Sequence, residues 1–366
     1  MQTVSSAPDW FTDVLRRLPP DLDLDALALS TGAIRRKRVL ATGAKLLRLA
    51  LARGPGGLSL KQTAAWAETL GFARMSDPGI KYRLDHAVGF LDAIVSHTLA
   101  ANTRSRPIHW PDRSLRIVDG SSISQPGSKG TDWRIHGVYD LGQGGFSHLE
   151  LTDRHGGEGL SRGAPVPGEI RIGDRNYANL PALRQFLCDS GGKADFIVRL
   201  RWSGFTFCLA DGGDFDLFDY LRTLPEGIAD HEIALQAFTK SEKGEPPLPL
   251  RLLVHRKSPE ATEKERNRLR QMASRKGRRI DPRTLVAAGF VLIGTSLPQA
   301  YAVADILAAY RLRWQIELAF KRLKSLIHID KLPTWTEQAS RSWLLSFMLM
   351  AILCDDMNQE LLDSFP

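Results

Sequence analysis

Apolar positions recur at helical spacing from Asp21 to about Asn102, with breaks at Gly54-Pro55-Gly56-Gly57 and at Gly71 and no β-rich run between them. This pattern predicts an all-α N-terminal domain over residues 1–105. Within it, Leu58 to Ala67 reads as one short helix, and Ser76-Asp77-Pro78-Gly79 supplies the N-cap and first turn of another. After Arg104-Ser105-Arg106-Pro107 the spacing shortens to β-rich runs at Leu115–Val118, Ile135–Leu141, Phe146–Leu151 and Glu169–Ile172. A helix at Leu180–Cys188 and a strand at Phe196–Arg201 follow. Three neighbouring strands, then a strand, a helix and another strand make the first part of a mixed-sheet core, residues 106–202.

From Trp202 to Gly289 the character changes. Short alternating runs at Phe205–Leu209, Ile233–Phe238 and Leu250–His255 precede a basic, helix-like stretch, which reads as a β-rich insertion over residues 203–289. A strand at Phe290–Ile293, one long helix from about Ala302 to Ile327 and a final apolar helix beyond Glu337 return to the core, residues 290–366. The longest apolar run, Trp343 to Cys354, is shorter than the roughly 20 residues of a membrane span and is expected to be a buried helix, so no membrane association is expected.

Charge sharpens the picture. The 49 Lys and Arg exceed the 41 Asp and Glu by 8, and the pI is near 9.5, a balance that favours a polyanionic partner. Most of the excess sits between Arg256 and Arg283, where 11 Lys and Arg face 4 acids, a net of +7. A surface laid against phosphates and a solvated surface helix both fit. With DNA as partner, the helices at 58–67 and after Ser76 fit a helix-turn-helix presenting Lys81 and Arg83 beside Tyr82, and they fit an ordinary helical hairpin as well. The three cysteines, Cys188, Cys208 and Cys354, are isolated and show no zinc or disulfide spacing, and the residues from Met1 to Phe11 contain no apolar signal core. A cytoplasmic, nucleoid-associated protein is expected.

The candidate chemistry lies in three acids. Two-metal phosphodiester cleavage needs clustered carboxylates, because one cation activates the attacking oxygen while the other stabilises the leaving oxygen. Asp119 ends the run Leu115-Arg116-Ile117-Val118, and Asp174 ends Ile170-Arg171-Ile172-Gly173. Either acid alone is more often a turn residue before Gly or a helix cap than a metal ligand. On the long helix, Tyr310, Arg313, Glu317 and Lys324 fall within about 60° of one another at 100° per residue, with Lys321 on the same polar stripe. Leu312, Ile316, Ala319, Phe320, Leu323 and Ile327 form the opposite, apolar face.

The spacing Tyr310-x2-Arg313-x3-Glu317-x6-Lys324 resembles the Y-R-E-K signature of bacterial insertion-sequence DDE transposases of the insertion-sequence-four family. Ile117-Val118-Asp119-Gly120-Ser121 and Gly173-Asp174-Arg175-Asn176-Tyr177 resemble that family's first and second acidic motifs. The resemblance runs from about Leu115 to Leu332. It implies an RNase H-like catalytic core interrupted by a largely β insertion, which suits the 143 residues separating Asp174 from Glu317. It further implies Asp119, Asp174 and Glu317 as catalytic ligands of two Mg²⁺ ions, with Mn²⁺ as a substitute. Tyr310, Arg313 and Lys324 would contact DNA near the cleaved transposon end, and Lys321 would join them.

The expected activity is hydrolysis at the inverted-repeat ends of a mobile element and transfer of the freed 3′-OH strand to target DNA. The partners are end and target DNA and a second copy of the chain assembled on DNA. Trp133, Tyr177 and Trp314 fit either base stacking at a distorted end or core packing. His136 and His148 lie in expected strands and read as structural, since hard Mg²⁺ prefers oxygen ligands. Because the chain stops at Asp363-Ser364-Phe365-Pro366, a truncated or catalytically idle transposase that occupies DNA ends is the rival reading. A host nuclease of the same core, without strand transfer, is a third.

Overall fold

A computed structural model describes residues 9–36, 39–101, 108–225, 230–240, 244–325, 329 and 332–364. The elements begin with α1 (Trp10–Arg17), α2 (Leu24–Ser30), α3 (Gly43–Arg53), α4 (Leu60–Thr69), α5 (Asp77–Asp85) and α6 (Val88–Ala101). Next come β1 (Ser114–Ile123), β2 (Trp133–Asp140), β3 (Gly145–Asp153), β4 (Glu169–Gly173), α7 (Leu180–Asp189), β5 (Asp195–Arg199), β6 (Thr206–Leu209) and α8 (Leu217–Thr223). They continue with β7 (Asp230–Phe238), β8 (Leu248–Arg256), α9 (Pro259–Arg275), α10 (Pro282–Ala287) and β9 (Phe290–Thr295), and end with α11 (Val303–Arg311), α12 (Trp314–Ser325) and α13 (Glu337–Ser364). They group into two compact units, one of residues 1–105, 120–157 and 317–366, the other of residues 106–119 and 158–316.

In the first unit α13 is the central helix, packed on α6, α3, α5 and β3. Its run Trp343–Leu353 is buried apart from Met350, as the apolar sequence anticipated, and each large side chain withdrawn from water contributes about 1.5–3 kcal/mol. Among the described residues no helix is long and apolar enough to cross a membrane. Helix α4 opens on a capping box in which Ser59 and Gln62 satisfy each other's backbone N–H, and α5 is capped by Ser76 with proline in its first turn. The α5 cap lies where the sequence signal put it, while α4 begins at Leu60, two residues after the Leu58 expected. Strands β2 and β3 form an antiparallel hairpin whose register shifts between Val138 and Tyr139.

In the second unit the strand order is β1-β4-β5-β9-β8-β7-β6. Strands β1, β4 and β5 are parallel, with α7 as the crossover between β4 and β5, and the rest are antiparallel. All five residues of β4 are buried, as a parallel strand covered on both faces requires. The fold is mixed α/β, and three successive strands followed by β4, α7 and β5 have the order expected of an RNase H-like core. The segment expected as an insertion supplies β6, β7 and β8, which extend the same sheet outward from β9. Helix α9 then runs with no buried residue.

Two elements differ from the sequence reading. Strand β1 does not end at Val118 but continues to Ile123, with Ser121 and Ile123 buried, and the Ile123 carbonyl accepts the Asp132 N–H at 3.0 Å. Hydrogen bonding beyond the Asp119-Gly120 pair overrides the turn preference of those residues. The single helix expected from Ala302 to Ile327 is two helices, α11 and α12, with Ile327 itself outside the described residues. Between them the bonding tightens to i−3: Leu312 N–H to Ala309 at 3.0 Å, Arg313 N–H to Tyr310 at 3.1 Å and Gln315 N–H to Leu312 at 2.9 Å. No proline or glycine marks this break, so periodicity could not reveal it.

Candidate active site

The candidate site lies on the middle of β1 and at the carboxyl ends of β4 and β5, and the register of these strands sets what stands there. Ile117 pairs with Ile172, and Ile172 with Ile197. Two residues further along each chain are Asp119, Asp174 and Arg199. Asp119 is still within β1, Asp174 is the first residue beyond β4 and Arg199 is the last of β5, so the shared register brings two carboxylates and a guanidinium onto neighbouring chain segments. Ligand sites at this edge are general for parallel sheets.

Asp174 is the first residue beyond β4, and its position depends on Gly173. A Cβ at residue 173 would lie 2.8 Å from the Tyr177 Cβ and 3.2 Å from Leu160 Cδ1, so only glycine admits the turn. Tyr177, 1% exposed, packs there as a core residue and not as a base-stacking platform. The Asp174 Oδ1 accepts the Asn176 N–H at 2.6 Å, an Asx turn that holds the carboxylate at the strand end.

Beneath these residues lies a buried ionic framework that sequence reasoning missed. Arg171 and Glu169 on β4 are almost wholly buried and pair with each other. Arg171 also donates to the carbonyls of Leu160 and Arg162 at 2.8 Å and Gly163 at 2.9 Å, which ties down the loop before β4. Arg113 donates to the Asp195 carboxylate at 2.5 Å and to the Gly168 carbonyl at 3.0 Å, linking β1, β4 and β5 from below. Removing one partner from such a buried pair is costly, because the other charge is left desolvated.

Tyr310, half-buried in the last turn of α11, lies in the electrostatic neighbourhood of Asp174, Arg175, Arg199 and Arg313. Burial pushes its hydroxyl up from the ordinary range and Asp174 adds to this, while the arginines pull it down. The phenol therefore stays protonated at neutral pH and is a hydrogen-bond donor. The tightened turn after α11 has about three residues per turn, which stacks Arg313 over Tyr310. Tyr310, Arg313, Arg199, His255 and Trp314 line a cavity of about 260 Å³. Trp314 is 46% exposed at its mouth.

A second cavity, of about 180 Å³, is lined by Arg175, Arg199, Arg201, Lys257, Trp202 and Glu265. Burial lowers the affinity of Arg199 and Lys257 for their protons; repulsion from Arg175 lowers Arg199 further against Tyr310 and Glu265, and repulsion from Arg199 lowers Lys257 further against Glu265. Cations crowded and partly desolvated in this way are stabilised by an incoming anion such as a phosphodiester. Neither Arg175 nor Arg199 was singled out from the sequence. The available signal was an arginine closing the strand Phe196-Ile197-Val198-Arg199, in step with the acids on β1 and β4.

The remaining expected residues are placed as follows. Glu317 is exposed in the first turn of α12, where the helix dipole favours a carboxylate. Lys321 is exposed and Lys324 half-buried on the same helix, whose Ala319, Phe320 and Leu323 are buried. Because α11 and α12 are separate, the single helical face expected to unite Tyr310 with Glu317 and Lys324 does not exist as a regular stripe. Arg83 is half-buried on α5, and Lys81 pairs with Asp85 one turn on. Trp133 is buried; His136 is also buried and meets the Thr152 hydroxyl at 3.0 Å.

The hard oxygen donors of Asp119 on β1 and Asp174 just beyond the adjacent β4 fit a divalent cation of the Mg²⁺ type. Among the described residues no group of three or more His, Cys, Asp or Glu is drawn together as a ready metal cage.

Comparison with known proteins gives a consistent result. Residues 110–354 match the family described as transposase DDE domain. The chain is 38% identical over 359 residues to the putative transposase InsL of insertion sequence element IS186A from Escherichia coli (strain K12), covering 98% of this chain and 96% of that protein. It is also 38% identical over 360 residues to the transposase of insertion sequence element IS421 from Escherichia coli, with the same coverage. Among solved structures, the piggyBac transposase in a synaptic complex with hairpin DNA aligns at a TM-score of 0.40 and 9% identity, over 95% of this chain and 73% of that one. On the family match and the near full-length identity, the chain belongs to the DDE transposases of bacterial insertion sequences, enzymes that act on DNA and depend on a divalent metal.

Proposed function

We propose that the chain hydrolyses the phosphodiester bond at the inverted-repeat ends of its element and joins the freed 3′-OH strand to target DNA. Asp119, Asp174 and Glu317 are the proposed catalytic carboxylates. The observation that carries this reading is the common register of Ile117, Ile172 and Ile197 on three parallel strands, each followed two residues later by Asp119, Asp174 and Arg199.

Asp119, Asp174 and Glu317 would hold Mg²⁺, or Mn²⁺ in its place. When bound, such a cation supplies Lewis-acid activation and charge neutralisation at the scissile phosphate. The protein's own groups do the rest. Arg175, Arg199 and Arg313 pair with phosphates flanking the reacting one, and Tyr310 donates its retained proton to a phosphate oxygen. Lys321 and Lys324 extend the cationic track along α12. Lys81 and Arg83 contact end DNA from the helical N-terminal domain, residues 1–105. The sheet segments 106–202 and 290–366 form the catalytic core, with 203–289 contributing a basic flank. Two copies assemble on paired ends, and the protein acts at the nucleoid in the cytoplasm.

The test is metal-dependent nicking of duplexes carrying the inverted repeats that flank the gene. Asp119→Ala, Asp174→Ala and Glu317→Ala are each expected to lose at least about a hundredfold in nicking rate while still binding the end. Wild-type nicking by all three variants would overturn the assignment. A second reading is an idle protein that only occupies ends. That reading predicts end binding by the unaltered protein with no nicking in either Mg²⁺ or Mn²⁺.

A further inference from the structure

One face of the sheet in the second unit carries two charged pairs between β7 and β8, and the fold satisfies them unequally. The register places Arg199, Ile293, Leu253 and Glu232 in one row across β5, β9, β8 and β7. Residues two apart on a strand share a face, so Val291, His255 and Asp230 form the next row on the same side. Helix α11 lies over this face, packed on β5 and β7.

The inner pair is a strut. Arg251 holds both carboxylate oxygens of Glu232, at 2.8 and 2.7 Å, and donates to the carbonyls of Leu297 and Tyr301, each at 3.1 Å. It is buried, and each of its three side-chain nitrogens donates. The outer pair is different. Nδ1 of His255 lies 2.9 Å from Oδ1 of Asp230, and both side chains are partly exposed. A carboxylate only accepts, so Nδ1 carries the proton and that edge of the imidazole is held towards β7. Among the described residues no hydrogen bond engages Nε2.

Nε2 is therefore the polar atom that His255 offers the 260 Å³ cavity it lines. The other charged and titratable groups on that wall are Arg199 from β5, Tyr310 and Arg311 from α11, and Arg313 from the turn into α12, while β9 contributes Val291. Lys257, two residues beyond His255, is turned to the Ala288 carbonyl at 2.9 Å. Among the described residues no acid lines the cavity, and Asp230 reaches His255 from behind. Guanidinium groups, a phenol and an imidazole converging without an acid make a receptor for phosphate.

We propose that His255, oriented by Asp230, completes a receptor for a backbone phosphate of end DNA and is its titrating member, so that end binding takes up a proton. The neutral ring, with its proton on Nδ1, presents a lone pair at Nε2 that repels a phosphate oxygen. Protonation turns Nε2 into a donor, and Asp230 balances the imidazolium through the Nδ1–H bond. The arginines oppose that charge before DNA binds; a phosphate reverses the balance, because it attracts all of them at once. Proton and DNA thus favour each other's binding. Affinity is greatest where imidazoles are ordinarily charged and falls as the pH rises through their usual range. The inference rests on the proposed placement of DNA phosphates against Arg199, Tyr310 and Arg313.

The experiment follows fluorescence anisotropy of labelled inverted-repeat duplex with the full chain, at about pH 6 and about pH 8 and over a series of salt concentrations. Mg²⁺ is omitted so that no strand is cut. Wild type is expected to bind about tenfold more tightly at the lower pH, with a salt slope steeper there by about one phosphate contact. His255→Gln is expected to keep the wild-type affinity at the higher pH within about twofold and to lose most of the gain at the lower. His255→Lys, charged throughout, should bind tightly at both. Asp230→Asn should show a smaller gain, because the imidazolium has lost its partner. Melting curves at both pH values verify that each variant is folded; if His255→Gln is not, wild type and His255→Lys carry the comparison. A full wild-type gain in His255→Gln, or a pH-dependent affinity in His255→Lys, would overturn the proposal. Arg199→Met run alongside separates the two ideas. If it binds like wild type at both pH values, the proposed phosphate placement fails and this inference fails with it. If it binds weakly while His255→Gln keeps the full gain, only the inference fails.

Discussion

Arg199 shows how a single side chain acquires a role from its neighbours. Its guanidinium is half-buried and repelled by Arg175 and Arg313. Replacing it with methionine should relieve that repulsion, so Arg199→Met is expected to melt no lower than wild type. The same variant should bind end DNA about tenfold more weakly, with a salt slope reduced by about one phosphate contact. Fluorescence anisotropy over a series of salt concentrations measures both, and an unchanged slope would remove Arg199 from the DNA track. The acids and Tyr310 were singled out by resemblance to a family signature, because a motif keeps its residues in order along the chain. Arg175 and Arg199 were not, since their significance arises only when β4 and β5 are laid side by side and like charges meet in partial burial.

At the scale of elements, short signals outperformed long ones. Ser76 marked the start of α5 because a cap is a contact between residues three apart, whereas the capping box of Ser59 and Gln62 starts α4 two residues later than the apolar spacing placed it. The join between α11 and α12 was hidden, because Leu312 and Arg313 are ordinary helix formers and the change lies in their hydrogen bonding. The end of β1 was likewise missed: Asp119-Gly120 favours a turn locally, and only the bond from Asp132 to Ile123 shows the strand continuing. Gly173 illustrates how much an element can depend on the absence of one carbon. Gly173→Ala is expected to destabilise the protein by about 1–3 kcal/mol and to displace Asp174, since the Tyr177 Cβ cannot yield. Urea unfolding measures the first effect and nicking rate the second. A variant as stable and active as wild type would show that the turn has more room than its geometry implies.

For the molecule as a whole, the excess positive charge is local. Helix α9 buries none of its residues, and Arg275, Lys276, Arg278 and Arg279 at its C-terminal end and beyond are exposed. Their replacement by glutamine should leave thermal stability within about 0.5 kcal/mol of wild type. Affinity for DNA of arbitrary sequence should fall, with the salt slope reduced by up to about three to four. If the slope is unaltered, the basic segment is a solvated surface and DNA lies elsewhere. The charge run was visible in the sequence, as were nearly all the strands. What could not be read was that β6, β7 and β8 join the core's own sheet, because the pairing of β8 with β9 is a long-range choice that no local pattern encodes.

That sheet order has a consequence for the chain as it is made. Strand β5 has β4 on one side, but its other edge stays open until β9 arrives about 90 residues later, after β6, β7 and β8 have left the ribosome. Pairing over such a separation is slow, and an uncovered edge of buried-type residues invites association with other chains meanwhile. Arg199 is held by that last pairing, opposite Ile293, and Glu317 is synthesised later still. The cutting site is therefore among the last features of the nascent protein to become complete. An interrupted product ending before Phe290 would carry Asp119 and Asp174 on an unfinished sheet, more prone to aggregate than to cut.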